Sequence, residues 1–150
     1  MKARLGNSLW LLSQHLRGRF AGSRPEHLAR GKTGEKLAAR FLRRHGYKIL
    51  YRNFRGRSGG EIDLVCRERD TLVFVEVKTR GSEDFGRPFE TIAREQQHRI
   101  ARGALAWLRL LDNPDILFRI DVVEVLMPAG SDPALNLIRN AFGLPKGYRY

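Results

Sequence analysis

Cysteine occurs once in the 150 residues, at Cys66, so neither an internal disulfide nor a Cys-rich zinc site can form, and a reducing compartment is expected. Histidine is nearly as scarce, and His15, His27, His45 and His98 stand at spacings that make no ligand set. Long apolar runs are missing too. The patch Leu9-Trp10-Leu11-Leu12 gives way to Ser13, Gln14 and His15, too short for a signal peptide or a transmembrane helix. The expectation is a cytoplasmic chain without an integral membrane segment. Acidic residues are outnumbered, 16 against 28 Lys and Arg, and the resulting charge of +12 favours a polyanionic partner, either nucleic acid or an anionic membrane surface. A hydrophobic fraction of 42% argues against disorder, and the length suits one domain with its own core.

Leu5, Leu9, Leu12, Leu16 and Phe20 recur at spacings of three and four, which predicts an amphipathic helix flanked by Lys2, Arg4, Arg17 and Arg19. Such a helix lies on a membrane, docks on a partner or packs on its own domain, and the pattern alone does not choose. Gly22 to Pro25 reads as a linker, which makes residues 1–25 a basic N-terminal extension. The composition changes at Gly31. Leu37, Ala38, Phe41 and Leu42 form an apolar helical face ended by Gly46, with Glu35 near the helix start. Tyr47 to Phe54 reads as a strand, Arg55 to Gly60 as a flexible loop, and Glu61 to Arg67 and Thr71 to Thr79 as a hairpin. A helix is predicted from Thr91 to Leu111, stopped by Asn113-Pro114. Ile116 to Leu126 is a further strand, Leu135 to Ile138 an edge strand, and 143–150 a C-terminal tail. This order predicts an α/β domain over residues 31–142, a mixed central sheet flanked by helices.

The informative stretches are Gly60 to Val65 and Leu72 to Lys78. Side chains alternate along a strand, so Asp63 shares a face with Glu61, and Glu76 with Lys78. With Arg69 and Asp70 as the central turn residues, partners across the hairpin have numbers adding to 139, which sets Asp63 opposite Glu76 and Glu61 opposite Lys78. Directly opposed Cβ atoms stand about 4.5–5.5 Å apart. Two carboxylates facing each other among Ile62, Leu64, Val65, Val73, Phe74, Val75 and Val77 repel, and their burial is costly without compensation. A divalent cation compensates them. Mg2+, or Mn2+ in its place, takes one or two carboxylates and fills its remaining positions with water and phosphate oxygens. Lys78 beside it would stabilise charge on a phosphoryl group or orient the attacking water, which makes phosphodiester hydrolysis the implied reaction. The bland alternative, weak ion pairs on a solvated face, suits an isolated Glu-x-Lys better than this apolar setting.

Asp63 followed across a hairpin by Glu76-Val77-Lys78 resembles the PD-(D/E)xK motif of restriction-endonuclease-like nucleases, here without the proline. Gly31 to Glu35, Gly60 to Leu64 and Phe74 to Arg80 are together similar to the pattern of the YraN family of small uncharacterised proteins. The likeness continues through Phe85-Gly86, Ile120 to Val123 and Asn140 to Phe142. The resemblance implies a restriction-endonuclease-like core. By similarity to archaeal Holliday-junction resolvases, it also implies Asp63 and Glu76 as metal ligands, Lys78 as catalytic, Glu35 as an additional acidic ligand, and a homodimer. A first-turn carboxylate that complements the helix dipole is the other reading of Glu35. Where similar proteins tend to have a lysine early in the second long helix, this chain has Gln96 or Gln97.

Arg80, Arg87, Arg94, Arg99 and Arg102 follow the motif and would track phosphates, positioning DNA without reading its sequence. A solvated basic face is their bland reading. The function expected is a metal-dependent endonuclease acting on DNA, branched or structured DNA included. Two other classes stay open: a nucleic-acid-binding protein of nuclease fold that does not cleave, and a membrane-surface or adaptor protein acting through its N-terminal helix.

Overall fold

The computed structural model describes residues 26–81 and 92–150. The stripe from Leu5 to Phe20, the linker, Phe85-Gly86, Arg87 and Thr91 lie outside the described residues, and the helix predicted from Thr91 begins at Arg94, after the non-helical Ile92 and Ala93. Helix α1, Glu26–Arg44, buries Ala38, Ala39 and Leu42, which recur at helical spacing. It begins ahead of Gly31, because a glycine inside a helix costs only about 1 kcal/mol relative to alanine and does not by itself stop one. Its end falls where the sequence placed it: Gly46 adopts φ +86°, and the Tyr47 N–H donates back to the Leu42 carbonyl at 3.0 Å.

Five strands follow in chain order, β1 (Lys48–Arg55), β2 (Glu61–Glu68), β3 (Thr71–Arg80), β4 (Leu117–Leu126) and β5 (Ala134–Phe142), with helix α2 (Arg94–Leu110) between β3 and β4. Their spatial order is the same, β1-β2-β3-β4-β5. Neighbours are antiparallel except β3 and β4, whose parallel pairing requires the crossover that contains α2. The sheet is therefore mixed, as predicted.

Alternation along the central strands sends Phe74, Ile120 and Val122 to the α2 side, where Ile100, Ala104, Trp107 and Leu108 pack on them. Val73, Val75, Val123 and Val125 go to the α1 side. Both faces of these strands are covered, which is why their sequences read as continuous apolar runs. α2 ends through left-handed residues at Asp112 and Asn113, one turn before Pro114 acts. Residues 143–150 return along the α2 side, with Leu144 and Tyr148 against the core and the Tyr150 hydroxyl donating to the Pro114 carbonyl. Among the described residues no helix is long and apolar enough to cross a membrane.

On the α1 side a polar network spans the sheet away from the acidic pair. Asp121, fully buried, accepts hydrogen bonds from the Tyr47 hydroxyl (2.9 Å), the Arg119 guanidinium (2.9 and 3.1 Å) and the Asn140 backbone N–H (2.9 Å). Glu68 clamps Arg119 at 2.7 Å and Arg139 at 2.7 and 2.9 Å. Burial and the Asp121 charge push the Tyr47 phenol up to about 12, so it stays a donor.

The loop from β1 to β2 is joined to α2 where two glycines meet. A Cβ on Gly60, whose φ is +90°, would stand 2.3 Å from the Gly103 nitrogen. Gly60→Ala is expected to destabilise the chain by upwards of about 2 kcal/mol, read by urea unfolding, because backbone cannot yield as a side chain does. An unchanged midpoint would mean that α2 is not held at this point.

Candidate active site

The hairpin register is the one expected from a turn at Arg69 and Asp70: Glu68 pairs with Thr71, and pairing runs without a break to Leu64 opposite Val75. Arg69 takes the positive φ, +52°, that a two-residue turn demands. The paired register ends at Leu64 and Val75, although β2 extends back to Glu61 and β3 forward to Arg80. At this fork the alternation of β2 is interrupted. Ile62 packs in the α2-side cluster while Leu64 packs on the α1 side, and Asn53 on the adjoining strand is left-handed at φ +53°. The Asp63 carboxylate turns to β3, and its Oδ2 accepts the Val77 N–H at 2.7 Å.

Asp63 and Glu76 thus remain neighbours, through a side chain bonded to backbone rather than a continued ladder. The expected pairing of Glu61 with Lys78 does not form: Glu61 Oε1 lies 3.2 Å from the Arg55 guanidinium, and Lys78 Nζ lies 3.3 Å from Glu76 Oε1. Strict alternation predicted otherwise because it left out the break at Asp63.

Glu76 is 7% exposed. Burial raises its pKa, opposed by Lys78, by Arg99 and by the Gln96 side-chain amide, whose Nε2 donates to Glu76 Oε1. Asp63 is pushed up to about 8, first by burial, then by the Glu76 charge, with Glu35 and Glu61 adding to it and the Val77 N–H opposing. The fork therefore resists carrying both carboxylates charged, and Asp63 keeps its proton until something positive takes its place, a role that a divalent cation would fill. Among the described residues no three His, Cys, Asp or Glu side chains converge as a metal-binding group. The donor set fits Mg2+ or Mn2+, which complete their shell with water, and not an ion that needs an all-protein cage. Since a ligand must be deprotonated, Mg2+ affinity is expected to climb as pH rises toward about 8, with proton release visible by calorimetry in buffers of different ionisation heat. Affinity independent of pH would rule out Asp63 as a ligand.

Glu35 lies well inside α1, not in its first turn, so the helix-dipole reading loses its basis, the dipole acting only within the terminal turn. Gly34 beside it permits the approach. A Cβ there would fall 1.9 Å from Thr79 Oγ1, so only glycine lets α1 lie this close to β3. Glu35 comes near enough to add to the raised pKa of Asp63, but does not join Asp63 and Glu76 as a third member of a metal-binding group.

Arg94, Arg99 and Arg102 are exposed on α2, Arg99 near enough to Glu76 to act on its charge. The Arg102 Nε lies 3.8 Å from the position a Cβ on Gly59 would take, which sets this arginine over the glycine loop. Arg80 is half-buried at the end of β3. In the sequence, Gln96 or Gln97 marks only a missing lysine. The bond from Gln96 to Glu76 depends on how the first turn of α2 meets β3, for which the sequence holds no local signal.

The profile of the uncharacterised protein family UPF0102 matches residues 34–125, the segment that contains α1 from Gly34, the hairpin, α2 and most of β4. A UPF0102 protein of Trichlorobacter lovleyi is 45% identical over 76% of this chain and 90% of its own length. One of Geobacter metallireducens is 46% identical over 76% of this chain and 92% of its own, and one of Nocardia farcinica 46% identical over 76% and 89%. With Asp63, Glu76 and Lys78 inside the matched segment, the chain belongs to the family UPF0102, the YraN family that its hairpin motif resembles.

Proposed function

We propose that this chain is a metal-dependent endonuclease hydrolysing phosphodiester bonds of DNA, branched or structured DNA included, in the cytoplasm, and as a homodimer where the substrate has two-fold symmetry. The observation that carries the reading is the buried pair Asp63 and Glu76 with the Lys78 ammonium 3.3 Å from Glu76. Asp63 and Glu76 would hold Mg2+ or Mn2+, with Glu35 acting from further out through its charge. When bound, such an ion supplies positive charge beside the phosphate and acidifies water. Lys78, with a side chain only 27% exposed, keeps its ammonium at the fork, where it donates to a non-bridging phosphate oxygen and stabilises the charge that builds there. Burial of the carboxylates limits competing water, which strengthens each of these interactions. Arg94, Arg99 and Arg102 on α2, with Arg80 and Arg87, would bind flanking phosphates.

The test is cleavage of plasmid, single-stranded and four-way-junction DNA with and without Mg2+ or Mn2+. Glu76→Ala and Lys78→Ala are each expected to lower the rate by about 10²–10³-fold. Arg99→Ala and Arg102→Ala should weaken binding alike on all sequences and reduce its salt dependence by about one released ion each. Cleavage unchanged in both Glu76→Ala and Lys78→Ala would refute the nuclease reading. Salt-sensitive binding with no turnover under any metal would favour a binding protein instead, a reading that the net charge of +12 supports.

A further inference from the structure

One oxygen of each carboxylate in the acidic pair is already engaged. Asp63 Oδ2 takes the Val77 N–H at 2.7 Å, and Glu76 Oε1 takes the Gln96 amide and faces Lys78 Nζ at 3.3 Å. Among the described residues no hydrogen bond reaches Asp63 Oδ1 or Glu76 Oε2. We infer that Gln96 is a positioning residue, which turns the Glu76 carboxylate so that Oε2, together with Asp63 Oδ1, is presented to the divalent cation. The inference rests on the metal-site reading above and adds to it the residue that sets the site's geometry.

Three features support it. The glutamate side chain has several rotatable bonds when free, so a tether at one oxygen is needed to aim the other. Gln96 is itself fixed. It sits in the first turn of α2, its backbone N–H bonded to the Ala93 carbonyl at 2.8 Å, with Ile92 and Ile100 buried on either side along the chain. Finally, an amide donates without adding charge. Lys78 already offsets one carboxylate, and a neutral donor at 96 leaves the remaining negative charge for the cation, whereas a second ammonium would compete with it.

The experiment is a Mn2+ titration of the full chain followed by electron paramagnetic resonance, with melting measured separately in EDTA. Wild type is expected to take up Mn2+. Gln96→Met, close in volume but without the donor, and Gln96→Asn, whose amide stops one methylene short, should each bind Mn2+ about tenfold more weakly and with an altered bound-ion spectrum. Their metal-free melting should be little changed, which separates loss of aim from loss of fold. Wild type binding Mn2+ while a folded variant gives the same affinity and spectrum would overturn the inference alone. A wild-type chain that takes up no Mn2+ would overturn the metal-site reading and this inference with it.

Discussion

Asp63→Asn is expected to abolish cleavage and, in EDTA at pH 8, to make the chain more stable than wild type. The two effects share one cause. The folded-state pKa of Asp63, about 8, lies above its ordinary value of 3.8, and burial and Glu76 account for most of the difference. Between those values the folded chain holds a proton that the unfolded chain has released, so metal-free stability falls as pH rises from about 4 to about 8. Asparagine stays neutral and still offers an oxygen to the Val77 N–H, so only the repulsion and the burial of charge disappear. A gain of about 1–3 kcal/mol at pH 8 is expected, with a flatter dependence on pH. Mg2+ should stabilise wild type in proportion to its occupancy and leave the variant unmoved. Thermal unfolding at pH 5 and pH 8, with and without Mg2+, measures all of this. If the asparagine variant proved less stable at pH 8, the pair would be structural, since a site that stores repulsion gains stability when it is removed.

Asp121→Ala should act in the opposite way and more strongly. Removing this fully buried carboxylate takes the acceptor from the Tyr47 hydroxyl, the Asn140 N–H and much of the Arg119 guanidinium. Breaking a buried charged network from one side costs about 3–5 kcal/mol, a large part of the 5–15 kcal/mol that holds an ordinary domain together. Urea unfolding is the measurement, and the loss should be present with or without Mg2+. The Asn140 bond adds a local effect: faster hydrogen exchange along β5, which Asp121 joins to β4. A loss under about 1 kcal/mol would show that Arg119 finds enough compensation in Glu68 alone.

The hairpin was legible because its information is local. Arg69 and Asp70 fix the turn, and the turn fixes the register as far as Leu64 and Val75, next to which Asp63 and Glu76 stand. The break in alternation was not legible. It falls beside Asn53 on the neighbouring strand, whose left-handed conformation asparagine tolerates but does not require. α1 starts ahead of Gly31, because the helix-forming residues before the glycine outweigh its cost. The Asp121 network gathers Tyr47, Glu68, Arg119 and Arg139 from separate strands, at sequence separations no motif spans. An aspartate inside the apolar run Ile120 to Val123 was the one available signal, a buried polar group in need of partners. Gln96 stands out in the sequence only against similar proteins, and its bond to Glu76 depends on packing across the parallel crossover.

The acidic pair and the lysine all reside on one hairpin closed by two residues, whereas Gln96 and the exposed arginines arrive on α2 by way of the crossover. On the proposed reading, the residues that would hold an ion come on one hairpin, while the residue that would aim Glu76 and the arginines that would meet phosphate come on a separate helix. On that reading, changes to the exposed face of α2 would alter what is recognised without touching the hairpin, so long as the Gln96 bond to Glu76 is kept.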